Sequence, residues 1–371
     1  MTASLNEKLR TVKWGEFRLG DLFEVKISRS IDKNKISLQK DGKYEFVGRS
    51  DDNNGVQGYI ESLHYDPNPE NTFSLSQVGE SVCLFRRNKW YASQNIFILT
   101  PKEKLFAKNN LFVSSSINKA LHKYKSAYVY PTLPIVKDLL LKLPIISEGT
   151  IDFDFMESFI AELEAERVAE LSAYLTVSGL DNYELSKEEE QAIDDYSSYD
   201  WKFFNLKALY GKSTRGKRLK SEDRIPGNLP FVTAGEAEEG VSAFIGNDVE
   251  VFEKNTTTID MFGSAKYRNY RYGGDDHVAI VHTEKVPMKA AIFVTSACHK
   301  AAHTGKFDYG HNFYAKDADA LDIMLPSKDG VPDYQAMELL ISAIQKLVIK
   351  DVVRYAERKI AGAKKITMHE G

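Results

Sequence analysis

Apolar positions follow two different spacings along this chain, and the same succession of spacings occurs twice. Short apolar runs bounded by Gly, Asn and Asp, such as "SVCLFRR", "NIFILT", "HVAIVHT" and "AAIFVTS", predict strands. Each series of runs gives way to steps of three and four, the repeat of a helix with one apolar face. In the first such stretch the stripe is Met156, Phe159, Ile160, Leu163, Leu171, Tyr174 and Leu175. In the second it is Met337, Leu340, Ile341, Ile344, Leu347, Val348, Val352 and Tyr355. Asp152 and Asp333 stand just before these stretches, where a carboxylate can accept from free backbone N–H groups of a first helical turn. Two matching stripes, one closing each half, favour packing against each other as an antiparallel pair.

The succession is an internal repeat of sequence as well as of pattern. "WGEFRLGDLFEV" at Trp14 returns as "WKFFNLKALYGK" at Trp201, and "YEFVGRSDDNNGVQGYIE" at Tyr44 returns as "LPFVTAGEAEEGVSAFIG" at Leu229. "NTFSLSQVGESV" at Asn71 matches "NTTTIDMFGSAK" at Asn255, and "LLLKLPIISEGTIDFDFME" matches "LDIMLPSKDGVPDYQAME". The reading is an α/β (α+β) chain with two tandem β-rich domains, residues 1–150 and 201–330. A helix and acidic linker over 151–200 and a second helix over 331–371 separate them, with pseudo-two-fold symmetry. A helix from Asp152 to Leu175 is about 36 Å long, near the roughly 34–36 Å turn of B-DNA that separates two half-sites.

Composition adds limits. The chain has 371 residues, 43% hydrophobic and 27% charged, which suits about two soluble domains. No apolar run reaches the roughly 20 residues of a membrane span, "MTASLNEKLRTVKWGEF" lacks a signal peptide's apolar core, and a cytoplasmic protein is expected. Cys83 and Cys298 are too few and too far apart in sequence for a disulfide framework. The formal net charge of −4 hides segregation: residues 1–150 carry +6, 151–200 carry −13, 201–330 carry +1 and 331–371 carry +2. Concentrating the acid in one segment leaves basic faces elsewhere for a polyanion.

The densest such face is "AKYRNYRYGGDDH", where Lys266, Tyr267, Arg268, Tyr270 and Arg271 crowd together ahead of Asp275, Asp276 and His277. The tandem arrangement, from Trp14 to about Tyr355, resembles the DNA-specificity subunits of type I and type IIB restriction–modification systems. "WKFFNLKALYG", "PFVTAGEAEEGVSAFIG", "TIDMFGSAKYRNYRYGGDDHVAIV" and "GKFDYGHNFYAKDADALDIMLP" look most like the type IIB kind. The resemblance implies a non-catalytic chain in which each half is a target-recognition domain followed by a spacer helix, together reading a split sequence in double-stranded DNA. It further implies a methyltransferase or fused methyltransferase–endonuclease partner docked on the helices. S-adenosylmethionine and Mg²⁺ would then belong to that partner, with no cofactor in this chain. The first half keeps the framework but not the Tyr/Arg wording, as expected if the halves read different bases.

Arg can grip guanine O6 and N7 or pair with phosphate, Lys supplies a point charge, and Tyr can stack or donate to phosphate. Lys266, Tyr267, Arg268, Tyr270, Arg271 and Tyr272 are therefore expected to form a strand-turn-strand contact element. Strand alternation would place Lys266, Arg268 and Tyr270 on one face. Asp275, Asp276 and His277 would orient the cations or read a cytosine amine. The first-half counterparts in "FRRNKWYASQ" are Arg86, Arg87, Lys89, Tyr91 and Gln94. Arg215, Lys217, Arg218 and Lys220 read as phosphate contacts, and Lys123, Lys125, Tyr128, Lys306, Tyr309 and Asn312 join late in each half.

Other chemistries fit poorly. "LKALYGKS" has Leu206 where a phosphate loop needs its first Gly. His299 and His303, beside Cys298, have helical metal-ligand spacing but no Glu of a zinc hydrolase and no clear further ligand, so surface or DNA-facing histidines are expected and no metal. The carboxylates of 181–200 read as a solvated charge run. Three rivals stay open: a type I rather than type IIB subunit, a two-lobed protein-interaction scaffold, and a hydrolase using the histidines or the Asp275–His277 cluster.

Overall fold

A computed structural model describes residues 2–78, 81–124 and 130–369, with side chains of the last helix as far as 362. The chain divides into two compact units, Met1–Leu171 with Lys359–Gly371, and Ser172–Arg358. Both divisions fall inside the long helices, Phe153–Val177 and Tyr334–His369.

Within the first unit, the entering strand Trp14–Arg18 pairs antiparallel with Leu140–Ser147, so the domain's two ends close on each other. Between them lies an antiparallel sheet in the order Phe23–Ile27, Ile96–Pro101, Thr72–Ser76, Cys83–Arg86. A smaller sheet runs Val56–Ile60, Tyr44–Val47, Trp90–Ala92, its last pair parallel. Phe73, Leu75, Leu99, Val113, Ile117, Leu141 and Met156 fill one core between the larger sheet, the helix Asn110–Leu121 and the start of the long helix. The end of the second long helix lies beside the first here, Lys359 Nζ donating to Glu164 at 3.0 Å.

The second unit repeats this design. Asp200–Asn205 pairs with Asp322–Lys328. One sheet runs Thr214–Arg215, Val278–Val281, Thr256–Asp260, Ala265–Arg268. The other runs Val241–Ile245, Pro226–Val232, Tyr272–Gly274, Val251–Phe252, again with one parallel pair. The repeat reaches single atoms. Trp14 Nε1 donates to the carbonyl five residues back and stacks on Phe112 at 6.3 Å. Trp201 does the same with Tyr196 and Phe293, at 3.2 and 6.3 Å.

Asp152 and Asp333 cap the long helices through their side chains, accepting from Phe155 N at 2.8 Å and Ala336 N at 3.0 Å. One strand expectation fails: "AAIFVTS" lies in the helix Met288–Ala302. Its buried positions, Ala290, Ala291, Val294, Thr295, Cys298 and Ala302, follow a helical repeat, and Ala favours helix. The acidic segment contains the short helix Lys187–Asp194, and its Glu189 is only 5% exposed.

Candidate nucleic-acid interface

The two segments expected to meet DNA contain a pair of matched interior constructions. Arg86 and Arg268 end the strands Cys83–Arg86 and Ala265–Arg268, opposite Thr72 and Thr256 in register. Both side chains turn inward, at 0% and 1% exposure. Each Nε donates at 2.9 Å to a strand hydroxyl, Ser74 Oγ or Thr258 Oγ1. Each guanidinium carbon stands 6.0 Å over an aromatic ring, Trp90 or Tyr272. That ring is fixed in turn by a hydroxyl, Trp90 Nε1 donating to Thr72 at 3.1 Å and Tyr272 OH bonding Thr256 at 2.9 Å. Thr72 and Ser74 of "TFSLS" and Thr256 and Thr258 of "TTTID" are thus buried while satisfying a buried Arg and ring.

The halves differ at the guanidinium tip. Arg268 Nη1 donates to Tyr270 OH at 3.0 Å. Arg86 Nη1 has the Glu45 carboxylate 4.0 Å away, and neither Nη has a hydrogen-bond partner among the described residues. Burial pulls the Arg86 guanidinium down to about 10, against the opposing pull of Glu45.

These facts correct the expected contact element. Ala265–Arg268 and Tyr272–Gly274 belong to different sheets, so they are not one strand-turn-strand hairpin. Arg86, Arg268 and Tyr272 are interior, and so is Tyr91, whose OH donates to Tyr65 O at 2.8 Å and accepts from Leu63 N. Lys266 is largely enclosed, bonded to Ser264 Oγ at 2.9 Å and Glu236 at 3.3 Å, with Asp260 at 3.8 Å. The half-buried Tyr267 donates to Asn255 Oδ1 at 2.8 Å. Asn312 is half-buried and donates to Tyr314 OH at 3.2 Å. None of these groups is presented freely to a ligand.

Other candidates do face outward. Arg271 is exposed, paired with Glu253 at 3.1 Å, and Tyr270 is half-buried. Lys217, Arg218 and Lys220 lie in one exposed loop after the exposed Arg215; Lys220 pairs with Glu222 at 3.5 Å, the other three with no acid among the described residues. Arg87, Lys89, Gln94, Lys123 and Lys306 are exposed, and Tyr309 is 85% exposed. Lys125 and Tyr128 lie outside the described residues.

Asp275, Asp276 and His277 bring three potential ligand atoms within 4.8 Å of one another, half-buried. Burial raises the Asp275 carboxyl, and His277 Nδ1 stands 3.0 Å from Asp276. They form no ion pair with Lys266, Arg268 or Arg271 among the described residues, so they do not orient those cations. His299 and His303 stack at 4.7 Å. His299 Nδ1 accepts from Ala265 N and His303 Nδ1 bonds Phe262 O, both at 3.2 Å, so both rings hold the backbone of 262–265. Gly211 ends the helix Leu206–Tyr210 with a φ of 78°, so Gly211-Lys212-Ser213 is a helix terminus and not a phosphate loop before a helix.

One exposed feature carried no basic or aromatic signal in the sequence. Each small sheet has a strand pair joined by a left-handed turn, at Asp52–Gly55 and Ala237–Gly240. The φ values are 47° and 54° at Asn53 and Asn54, and 47° and 53° at Glu238 and Glu239. Gly55 and Gly240 follow at 73° and 81°.

Comparison with known proteins agrees with this twofold design. Residues 11–173 match the family model of the type I restriction modification DNA specificity domain. The chain is 24% identical over 351 residues to the "Type II restriction enzyme BgcI specificity subunit S.BcgI" of Heyndrickxia coagulans, covering 91% of this chain and 96% of that one. Its fold is similar to that of the type I restriction–modification S subunit from M. genitalium, with a TM-score of 0.56 and 13% identity over 96% of this chain and 94% of that one. The matched domain lies in the first half and its topology recurs in the second, so the chain is similar along its length to DNA-specificity subunits of restriction–modification systems.

Proposed function

We propose that this chain reads a bipartite sequence in double-stranded DNA, one part with each unit, and is itself non-catalytic. The carrying observation is one topology used twice with different outward side chains: the same strand order, buried Arg and left-handed turn support Asn-Asn in one half and Glu-Glu in the other. A shared interior with unlike exposed tips suits two readers of unlike half-sites. Arg215, Lys217, Arg218 and Lys220 supply phosphate contacts in the second half, and Arg87, Lys89 and Lys123 in the first.

The partner is a methyltransferase or methyltransferase–endonuclease subunit that docks on the long helices. The second long helix supports this with exposed Ile344, Leu347, Val348 and Val352 at steps of three and four, a stripe that a protein partner would cover. S-adenosylmethionine and Mg²⁺ are then the partner's cofactors. No helix among the described residues is long and apolar enough to cross a membrane, in keeping with work on DNA in the cytoplasm. The 24% sequence identity to the Type II specificity subunit of H. coagulans supports the type IIB reading over type I.

The test combines the chain with the protein encoded beside it, and maps methylated and cleaved sites on genomic DNA. Two short fixed motifs separated by an unread gap are expected. Modification without sequence preference, or none at all while the pair binds polypeptide, would favour a protein-interaction scaffold.

A further inference from the structure

The geometry points to the two left-handed turns as base-reading elements, with Asn54 reading in the first half and Glu239 in the second. This rests on the bipartite DNA reading above and names the residues that make it selective.

Two consecutive non-glycine residues with positive φ are uncommon, and Glu is a poor residue for that conformation. The same pair of conformations nevertheless stands at matching places in both units, with ψ values of 40° and 31° in one and 37° and 26° in the other. The backbone there is held from below and from the sides. At Gly55 an added Cβ would meet Arg86 Nη2 at 3.0 Å and Ser50 O at 3.1 Å; at Gly240 it would meet Thr233 O at 2.7 Å, with Arg268 Nη2 at 3.8 Å. Each buried Arg thus reaches the underside of a turn. Gly48 N donates to Gly55 O and Thr233 N to Gly240 O, both at 2.8 Å.

The flanks add braces. Asn53 Nδ2 donates to Val56 O at 3.0 Å, and Ser50 Oγ to Asp52 at 2.8 Å. In the second turn Lys266 holds Glu236 at 3.3 Å, and Gly235 N donates to Asp260 at 3.3 Å. Asn54 and Glu239 form the exposed tips, and their side chains have no polar partner among the described residues. A strained, braced backbone that lifts an uncommitted polar group into solvent is a rigid pointer.

The chemistry of the pointers differs as two half-sites require. An Asn amide pairs with N6 and N7 of adenine in the major groove, and a Glu carboxylate accepts from N4 of cytosine. A carboxylate next to phosphates is repelled unless a base amine receives it, so Glu239 contributes discrimination more than affinity.

Glycine is the favoured residue where φ is positive, so Asn54→Gly and Glu239→Gly remove the side chain while easing the backbone. Their melting temperatures are expected to equal or exceed the wild type's. The full-length chain with its genome-neighbour partner is incubated with a duplex library randomised through both half-sites, and the modified molecules are sequenced. Each Gly variant is expected to relax one base pair of one half-site by about 5- to 100-fold, leaving the other half-site unchanged. Glu239→Gln is expected to move the preference at its position from cytosine toward adenine. If wild type selects a bipartite site and all three variants select it with the same preferences, the turns are corners only and the inference falls alone. A wild type without bipartite selectivity overturns the inference together with the proposed function.

Discussion

At the scale of the residue, the two buried arginines separate framework from contact. Arg268 has its Nε on Thr258 and one Nη on Tyr270, whereas both Nη atoms of Arg86 lack hydrogen-bond partners among the described residues and only Nη1 has a carboxylate, that of Glu45, at 4.0 Å. Truncating either to Ala opens a large void and is expected to cost about 3 kcal/mol or more. Met keeps most of the volume without the charge. Replacing an incompletely paired buried charge by an apolar residue of similar size is often nearly neutral. Arg86→Met is therefore expected to stay within about 1 kcal/mol of wild type. Arg268→Met, which removes the hydrogen bonds to Thr258 and Tyr270, is expected to lose about 2 kcal/mol. Urea unfolding of the variants measures both, and equal losses at the two sites would remove the distinction between the tips. Arginine is almost never fully buried, which is why the sequence pointed to DNA at Arg86 and Arg268. The available signal was hydroxyls at alternate strand positions, Thr72 and Ser74 or Thr256 and Thr258, with an Arg across the strand pair.

Larger elements were more legible because they rest on periodicity and not on single orientations. The two long helices, the two capping aspartates and the repeat's strand runs other than "AAIFVTS" stand in the fold as read. Each stripe is buried at its start, at Met156 and Phe159 or Met337, Leu340 and Ile341, while Tyr174, Ile344, Leu347, Val348, Val352 and Tyr355 farther along are exposed. The acidic segment shows where pattern reading stops. Ser186 and Glu189 form a reciprocal cap, with Ser186 N donating to Glu189 at 2.8 Å and Glu189 N to Ser186 Oγ at 3.2 Å. Lys346, on the second long helix, then donates to Glu189 at 2.7 Å and to Glu184 O at 2.9 Å. Burial alone would raise the Glu189 carboxyl, but hydrogen bonds from Lys346, Ser342 and the Ser186 backbone, with the charge of Lys346, bring it down to about 2 from its ordinary 4.5. A carboxylate held lower in the folded than in the unfolded chain stabilises fully above the unfolded value, and that contribution disappears as protons bind. Wild-type stability is thus expected to fall between about pH 4.5 and about pH 2 through this group. Glu189→Gln should be less stable at neutral pH and flatter across that window. Parallel pH profiles of the two proteins would rule out the link.

For the molecule as a whole, charge arrangement matters more than net charge. A formal −4 would discourage a polyanion if it were spread evenly, yet −13 resides in residues 151–200 and Arg215, Lys217 and Arg218 stand exposed without acidic partners among the described residues. Each cation that neutralises a phosphate releases condensed counterions and adds about 0.9 to the slope of log affinity against log salt. Replacing Lys217 and Arg218 together by Ala should weaken binding to every duplex alike and lower that slope by about 2. The order of preference among sequences should stay the same, because phosphates carry no base identity. The side chains at the turn tips should behave in the opposite way, altering preference at one base pair while leaving the slope nearly untouched. A salt titration of the double variant separates the two classes of contact: an unchanged slope would place the phosphates elsewhere on the surface, and a changed order of preference would make this loop a reader of bases.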